Sequence, residues 1–309
     1  MKNLLVAFVV VVIFGAVVSF CIGYFVSNKL GSTPTTEVRS TEIQKPRLLV
    51  IPTTIIQGEP VMIQVTGTNG LNSSTTVKEI IFAGKKVSFH TYNSKPTFFI
   101  GIALAGKVGV YNINAKLTDG TILKNTLTVS VRSKVQAPLG IPQKLGGNTT
   151  SSQTNLVNTL VKENSIIKAL TTTPQIFWDK PFQYPIKDPI ITDPFGYTRL
   201  TGAYTITHLG VDLRADEGTP VAAMNRGLVT FASTTVVYGN MIVIDHGFGI
   251  ETLYAHLSKI NIIKGQIVER GQIIGQSGQT GYADQPHLHV SVKINKISID
   301  PIKFLNFFK

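Results

Sequence analysis

The sequence predicts a mainly β protein: an N-terminal transmembrane helix, an immunoglobulin-like β-sandwich, a helical linker and a compact antiparallel β-sheet domain. Three observations carry that expectation. Residues 4–26 form an uncharged apolar run long enough to cross a bilayer. Short alternating runs, punctuated by Asn-Gly, Asp-Gly and single-glycine turns, fill the middle and the C-terminal part. Between them one segment, Thr154 to Leu170, repeats its apolar residues at a helical period.

Taken in order, residues 1–30 read as a short cytoplasmic stub and a signal anchor. The apolar run exceeds that of an ordinary signal peptide, and no small-x-small cleavage site follows it. Cys21 lies inside the run behind the bulky Phe20, which argues against a lipoprotein cleavage site. As the only cysteine it leaves the chain without an intrachain disulfide or a cysteine-rich metal site. Lys2 and Lys29 flank the run on opposite sides and do not settle its orientation. Residues 31–46, rich in threonine with two prolines, read as a flexible tether.

Residues 47–132 have the texture of the sandwich. "VMIQVTG" and "VKEIIFAGKKVSFH" flank the Asn69-Gly70 turn signal, and "VYNINAKLTDGTILKNTLTVSV" reads as two strands joined at Asp119-Gly120. His90 has no histidine or acidic neighbour there and reads as structural. Residues 133–184 form a linker whose helix carries a wide apolar stripe of Leu156, Val157, Leu160, Val161, Ile166, Ile167 and Leu170. Such a helix packs on its own domain or acts as a regulatory strap. In residues 185–309 "KGQIV" is echoed by "RGQII", two Gly-Gln turns leading into consecutive short strands.

The net charge of +12 is uneven: residues 1–184 hold 18 basic against 7 acidic side chains, residues 185–309 hold 11 against 10. No nucleic-acid module accompanies the basic part, so nucleic acid is not an expected partner. An anionic membrane surface or wall polymer suits it, as does plain solubilisation.

Five of the six histidines fall between His208 and His289. In "QPHLHV" a strand would point His287 and His289 to one face and Leu288 to the other. In "THLGVDL" His208 and Asp212 stand four apart, also on one strand face. Catalytic zinc takes three N or O ligands and keeps a fourth position for water. His208, Asp212 and one histidine of the pair supply three, leaving the other and His256 as bases. The chemistry implied is metal-assisted hydrolysis. No H-E-x-x-H or G-x-S-x-G segment offers another mechanism.

The stretches "FGYTR", "HLGVDL", "GTPVAA", "IDHGFGIETLYAHLS", "GQIIGQSGQTG" and "PHLHV" occur in the order seen in the lysostaphin and LytM-type zinc endopeptidases of bacterial cell walls, which residues 185–302 resemble. The resemblance implies Zn2+ held by His208, Asp212 and His289, with His256 and His287 as the catalytic histidines. It places His246 at a turn-shaping position outside the active set and suggests Tyr204 as an oxyanion donor. The loop "TGYADQ" departs from the small residues usual in the family, which bears on subsite shape. The implied function is hydrolysis of peptide cross-links or stem peptides of peptidoglycan. The domain would then lie outside a cytoplasmic membrane that the chain crosses once.

Two other readings come from different classes. One is a non-catalytic scaffold that activates cell-wall amidases; the complete ligand set argues against it. The other is a wall-binding module with structural zinc, against which the lack of a fourth protein ligand speaks.

Overall fold

Strand alternation in the N-terminal half buries one face of each of two sheets against the other. One sheet runs in the order β1 (Arg47–Ile51), β3 (Pro60–Thr66), β7 (Lys95–Gly101), β6 (His90–Tyr92); the second in the order β2 (Thr54–Ile56), β9 (Ile122–Ser130), β8 (Gly109–Leu117), β4 (Val77–Phe82), β5 (Lys85–Val87). Val61, Ile63, Val65, Ile80, Ile113 and Leu127 fill the space between them. The β8–β9 hairpin turns at Asp119-Gly120 as expected. Gly120 adopts φ +88°, and the Asp119 carboxylate accepts the Thr121 N–H at 2.8 Å.

The computed structural model describes residues 45–67 and 76–309, which lie in one compact unit. The apolar run 4–26, almost all of the tether and the Asn69-Gly70 turn fall outside them. Among the described residues no helix is long and apolar enough to cross a membrane.

β3 is buried on both faces, and so is much of β7. Their outward side chains Met62 and Phe99 enter a second core with Trp178, Phe182 and Phe304. The rings stack at short range: Trp178 to Phe182 at 5.2 Å and Phe182 to Phe304 at 5.0 Å between centroids. The sandwich is therefore joined to the C-terminal region by a continuous apolar seam. His90 sits in that seam 4.4 Å from the Phe248 ring, with neither ring nitrogen hydrogen-bonded.

The C-terminal region is built on a sheet ordered β11 (Ile191–Asp193), β14 (Val211–Arg214), β22 (His287–Ile294), β18 (Ile250–Leu257), β17 (Asn240–Gly247), β16 (Gly227–Thr234), β20 (Ile267–Val268), with β23 (Ile297–Ile299) beside β22. A small sheet of β15 (Pro220–Ala222), β21 (Ile273–Gln276) and β19 (Lys259–Ile260) flanks it. The Gly-Gln echo does yield two short strands, β20 and β21, but each joins a different sheet. Along β22 the alternation is regular: Leu288, Val290 and Val292 face the main core, while His287, His289 and Ser291 lie on the other face.

The linker segment adds a second small sheet. β10 (Gln136–Pro138) pairs in parallel with β12 (Thr198–Thr201), which pairs with β13 (Tyr204–Thr207). Thr149 caps the linker helix Thr150–Ala169, its hydroxyl accepting the Ser152 N–H at 3.2 Å. The helix buries Ser152, Leu156, Glu163 and Ile167. Val161 and Ile166 instead point outward, 61% and 49% exposed, so the buried stripe is narrower than the seven-residue stripe expected, and it contains a carboxylate.

Candidate metal centre

Asp212 and His289 are direct cross-strand partners on the antiparallel β14–β22 pair, so their side chains rise from the same face side by side. His208 arrives from the turn before β14. Gly210 lets this happen: a Cβ there would stand 2.5 Å from the Val290 carbonyl oxygen and 2.7 Å from the His289 ring. His208 Nε2 lies 3.0 Å from both Asp212 Oδ1 and His289 Nδ1, and the last two are 2.8 Å apart. All three residues are buried.

Each imidazole is oriented by its other nitrogen. His208 Nδ1–H donates to the Pro194 carbonyl at 3.1 Å, and His289 Nε2–H to the Ser291 hydroxyl at 3.0 Å. These bonds leave His208 Nε2 and His289 Nδ1 as lone-pair donors aimed at one point with Asp212 Oδ1. Zinc bonds of 2.0–2.2 Å at tetrahedral angles set ligand atoms about 3.4 Å apart. The observed triangle is that arrangement slightly contracted, so its two nitrogens and one oxygen fit zinc.

Burial pushes the His289 imidazole down to about 4, only partly opposed by Asp212. For Asp212, burial acts to raise the pKa, but His208 and His289 outweigh it and hold the carboxyl well below its ordinary range. His289 is thus neutral and Asp212 anionic at neutral pH, the states that zinc ligation requires.

His256 and His287 complete the cluster, their rings 4.8 Å apart, and His256 lies 6.0 Å from His289. His256 Nδ1–H donates to the Thr280 carbonyl and His287 Nδ1–H to the Gln285 carbonyl, each at 2.8 Å. In both rings Nε2 is left free, and that of His287 stands 3.8 Å from Asp212 Oδ1. Burial, reinforced by His287 and His289, pushes His256 down to about 3. Regular pleating would send His256 to the face of Tyr254, into the core. Its backbone instead takes φ +62°, which turns the side chain over to the site.

Arg199, absent from the sequence-derived set, holds Asp212 from behind. Its Nη2 donates to Asp212 Oδ2 at 2.7 Å and also to Asp193, so Oδ1 alone faces the histidines. The "FGYTR" stretch held the signal, but pairing Arg199 with Asp212 needs the fold. Tyr204 does not reach the centre: its hydroxyl lies 3.0 Å from Thr154 Oγ1 on the linker helix. His246 is buried outside the cluster, bonded to the Arg226 carbonyl and Thr252, and burial pushes it down to about 4.

Two spaces adjoin the cluster. A cavity of about 100 Å³ lies between His208, His256 and His289 on one side and Leu156, Leu160 and Asn164 of the linker helix on the other. An open groove of about 500 Å³ runs past Tyr197, Arg199, Asp212 and His287 to the loop Tyr282–Pro286. Leu139 and Gly140, just after β10, line both.

Residues 206–301 match the model of peptidase family M23. The DD-carboxypeptidase/endopeptidase Mpg of Neisseria meningitidis is 42% identical over 113 residues, which are 36% of this chain and 26% of that protein. Lysostaphin of Staphylococcus staphylolyticus is 41% identical over 104 residues, 32% of this chain and 22% of that protein. The chain thus spans about a quarter of the length of these curated relatives. A crystal structure of a peptidase M23 from Pseudomonas aeruginosa superposes on 82% of this chain and 96% of its own, with a TM-score of 0.58 and 22% identity, a likeness of fold. The converging His208, Asp212 and His289 lie within the segment that is similar to peptidase family M23, in keeping with the lysostaphin and LytM-type resemblance of the sequence.

Proposed function

We propose that the chain is a zinc-dependent endopeptidase that hydrolyses peptide cross-links or stem peptides of bacterial peptidoglycan. One observation carries the reading: three ligand atoms converge on a point beside two further imidazoles, 4.8 Å apart, whose Nδ1–H groups are held by backbone carbonyls and leave Nε2 available. The relatives named as peptidoglycan or DD-endopeptidases support the choice of substrate. Zinc bound there supplies a Lewis acid that polarises the scissile carbonyl and makes a water nucleophilic at neutral pH.

The protein's own groups do the rest. Arg199 keeps Asp212 presenting a single oxygen. His287, at the mouth of the groove with 18% of its side chain exposed, exchanges a proton between the attacking water and the leaving amine. His256, buried and held through its Nδ1–H by the Thr280 carbonyl, keeps its Nε2 lone pair available as a second proton acceptor beside His287. The linker helix shuts one side of the cluster from solvent, so the peptide enters from the groove bounded by Tyr282–Pro286.

The wider setting belongs to the same proposal. Residues 4–26 anchor the chain in the cytoplasmic membrane by a single crossing, with the catalytic region outside, where peptidoglycan lies. The basic excess of residues 1–184 favours attachment to an anionic wall polymer. The deciding experiment is release of new peptide ends from purified peptidoglycan by the full chain, with and without chelator. Release that chelation abolishes and zinc restores is expected; a zinc-loaded chain that releases none would overturn the reading.

A further inference from the structure

The turn between β16 and β17 presents three successive backbone N–H groups to one buried carboxylate. Val236 N donates to Glu163 Oε1 at 2.6 Å, Val237 N to Oε1 at 3.0 Å and Oε2 at 3.2 Å, and Tyr238 N to Oε2 at 3.2 Å. Consecutive amides converging in this way form a concavity suited to an anion. Glu163 reaches it from the buried face of the linker helix and is 6% exposed. A helix that only packs would place an apolar residue there, because burying a carboxylate costs its hydration.

The concavity is shaped by groups outside the helix. Thr235 N donates to the Gly239 carbonyl at 2.8 Å and closes the turn. On its far side the Val237 carbonyl accepts the Tyr282 N–H and the Tyr238 carbonyl accepts the His256 N–H, each at 2.9 Å. The amides are therefore held in place by the loop of the groove and by the strand that carries His256. They also border the metal centre: Val237 and Tyr238 wall the cavity shared with His208, His256 and His289, and the Tyr238 ring lies 6.1 Å from that of His289.

We propose that the amides of Val236, Val237 and Tyr238 are a carboxylate-binding subsite beside the cavity at the metal centre, which Glu163 occupies in cis, and that a peptide carboxylate competes with Glu163 and releases the linker helix from the metal centre. That the competing carboxylate belongs to a peptide rests on the peptidase reading; the subsite itself does not. Leu156 and Leu160 roof the cavity while Glu163 is seated, so a docked helix and a ligand in that cavity exclude each other. The tethered Glu163 acts at an effective concentration in the millimolar range, so a free carboxylate competes only when abundant or when carried by a peptide held in the groove.

The test is hydrogen–deuterium exchange of the full chain, with glutarate as probe and glutaramide as its uncharged control. In the wild-type chain glutarate, and not glutaramide, is expected to speed exchange across residues 150–169 by about tenfold. In Glu163→Gln the same helix exchanges fast without a probe, and glutarate protects the amides of residues 236–238. A wild-type helix unmoved by glutarate overturns the proposal, and so does a Glu163→Gln chain whose 236–238 amides stay unprotected. The wild-type arm needs no variant, so misfolding of Glu163→Gln cannot mask the answer. Neither readout involves hydrolysis: a chain that binds glutarate but cleaves no peptidoglycan refutes the peptidase reading alone, and a chain that cleaves it with an unmoved helix refutes the subsite alone.

Discussion

His90 in the aromatic seam and His289 at the metal centre are buried to similar depth, 8% and 6% exposed, and burial pushes both imidazoles down to about 4. What separates them is what their nitrogens touch. His289 has Ser291 on one nitrogen and Asp212 and His208 on the other; His90 has no hydrogen-bond partner on either. Burial alone makes an imidazole neutral, and only a set of oriented partners makes it a ligand. The same contrast holds between the regions: the seam is stabilised by ring packing, the centre by hydrogen bonds that fix tautomers.

The contrast can be broken first at the centre. His289→Ala removes one of three ligand atoms and leaves Asp212 with fewer partners. Zinc retention in metal analysis should be lost, and peptide release should fall by at least about a thousandfold. Trp178→Ala attacks the seam, emptying the space between Phe99, Phe182 and Phe308. Denaturant titration should show a loss of about 3 to 5 kcal/mol. Because no ring of the cluster is touched, zinc binding at temperatures where the chain is still folded should be unchanged.

Acid sharpens the comparison further. The unfolded His90 imidazole titrates near 6.5 and the folded one near 4, so between those values the unfolded chain binds more protons. His90 thus contributes no destabilisation above about pH 6.5 and a growing one as pH falls toward 4, up to about 3 kcal/mol. Stability measured against pH should therefore drop less steeply in His90→Phe than in the wild type across that window. Identical slopes would contradict the assignment. The smallest effect belongs to Arg199→Gln, which frees Asp212 Oδ2 from its charged partner. Chelator competition should report zinc binding weaker by about 10- to 100-fold.

How much was legible in the sequence follows from the reach of each signal. The period-2 pattern of "HLHVSVKI" yields strand β22 and the common face of His287 and His289, because alternation is a local property. The Asp119-Gly120 hairpin is local for the same reason. The histidine constellation and the family resemblance both bring in His256, yet the cause of its orientation is hidden: a left-handed backbone at a non-glycine residue leaves no composition signal. Nothing in the helix sequence marks Glu163 as buried; only the distant turn 236–238 does. For the same reason Val161 and Ile166 were placed on the packed stripe although they face outward. Whether Glu163 is covered depends on a turn more than seventy residues away.

The parallel pairing of β10 with β12 bears on how the chain can be cut. Ala137 stands opposite Arg199, the residue that braces Asp212, so the strand before the helix is a structural neighbour of the metal centre's support. A fragment beginning at residue 185 would strip β12 of that neighbour and expose an unpaired edge, and would also discard Trp178 and Phe182 from the core. Proteolytic trimming between these segments should therefore yield a piece prone to self-association, and a stable shortened chain should retain residues from Gln136 onward.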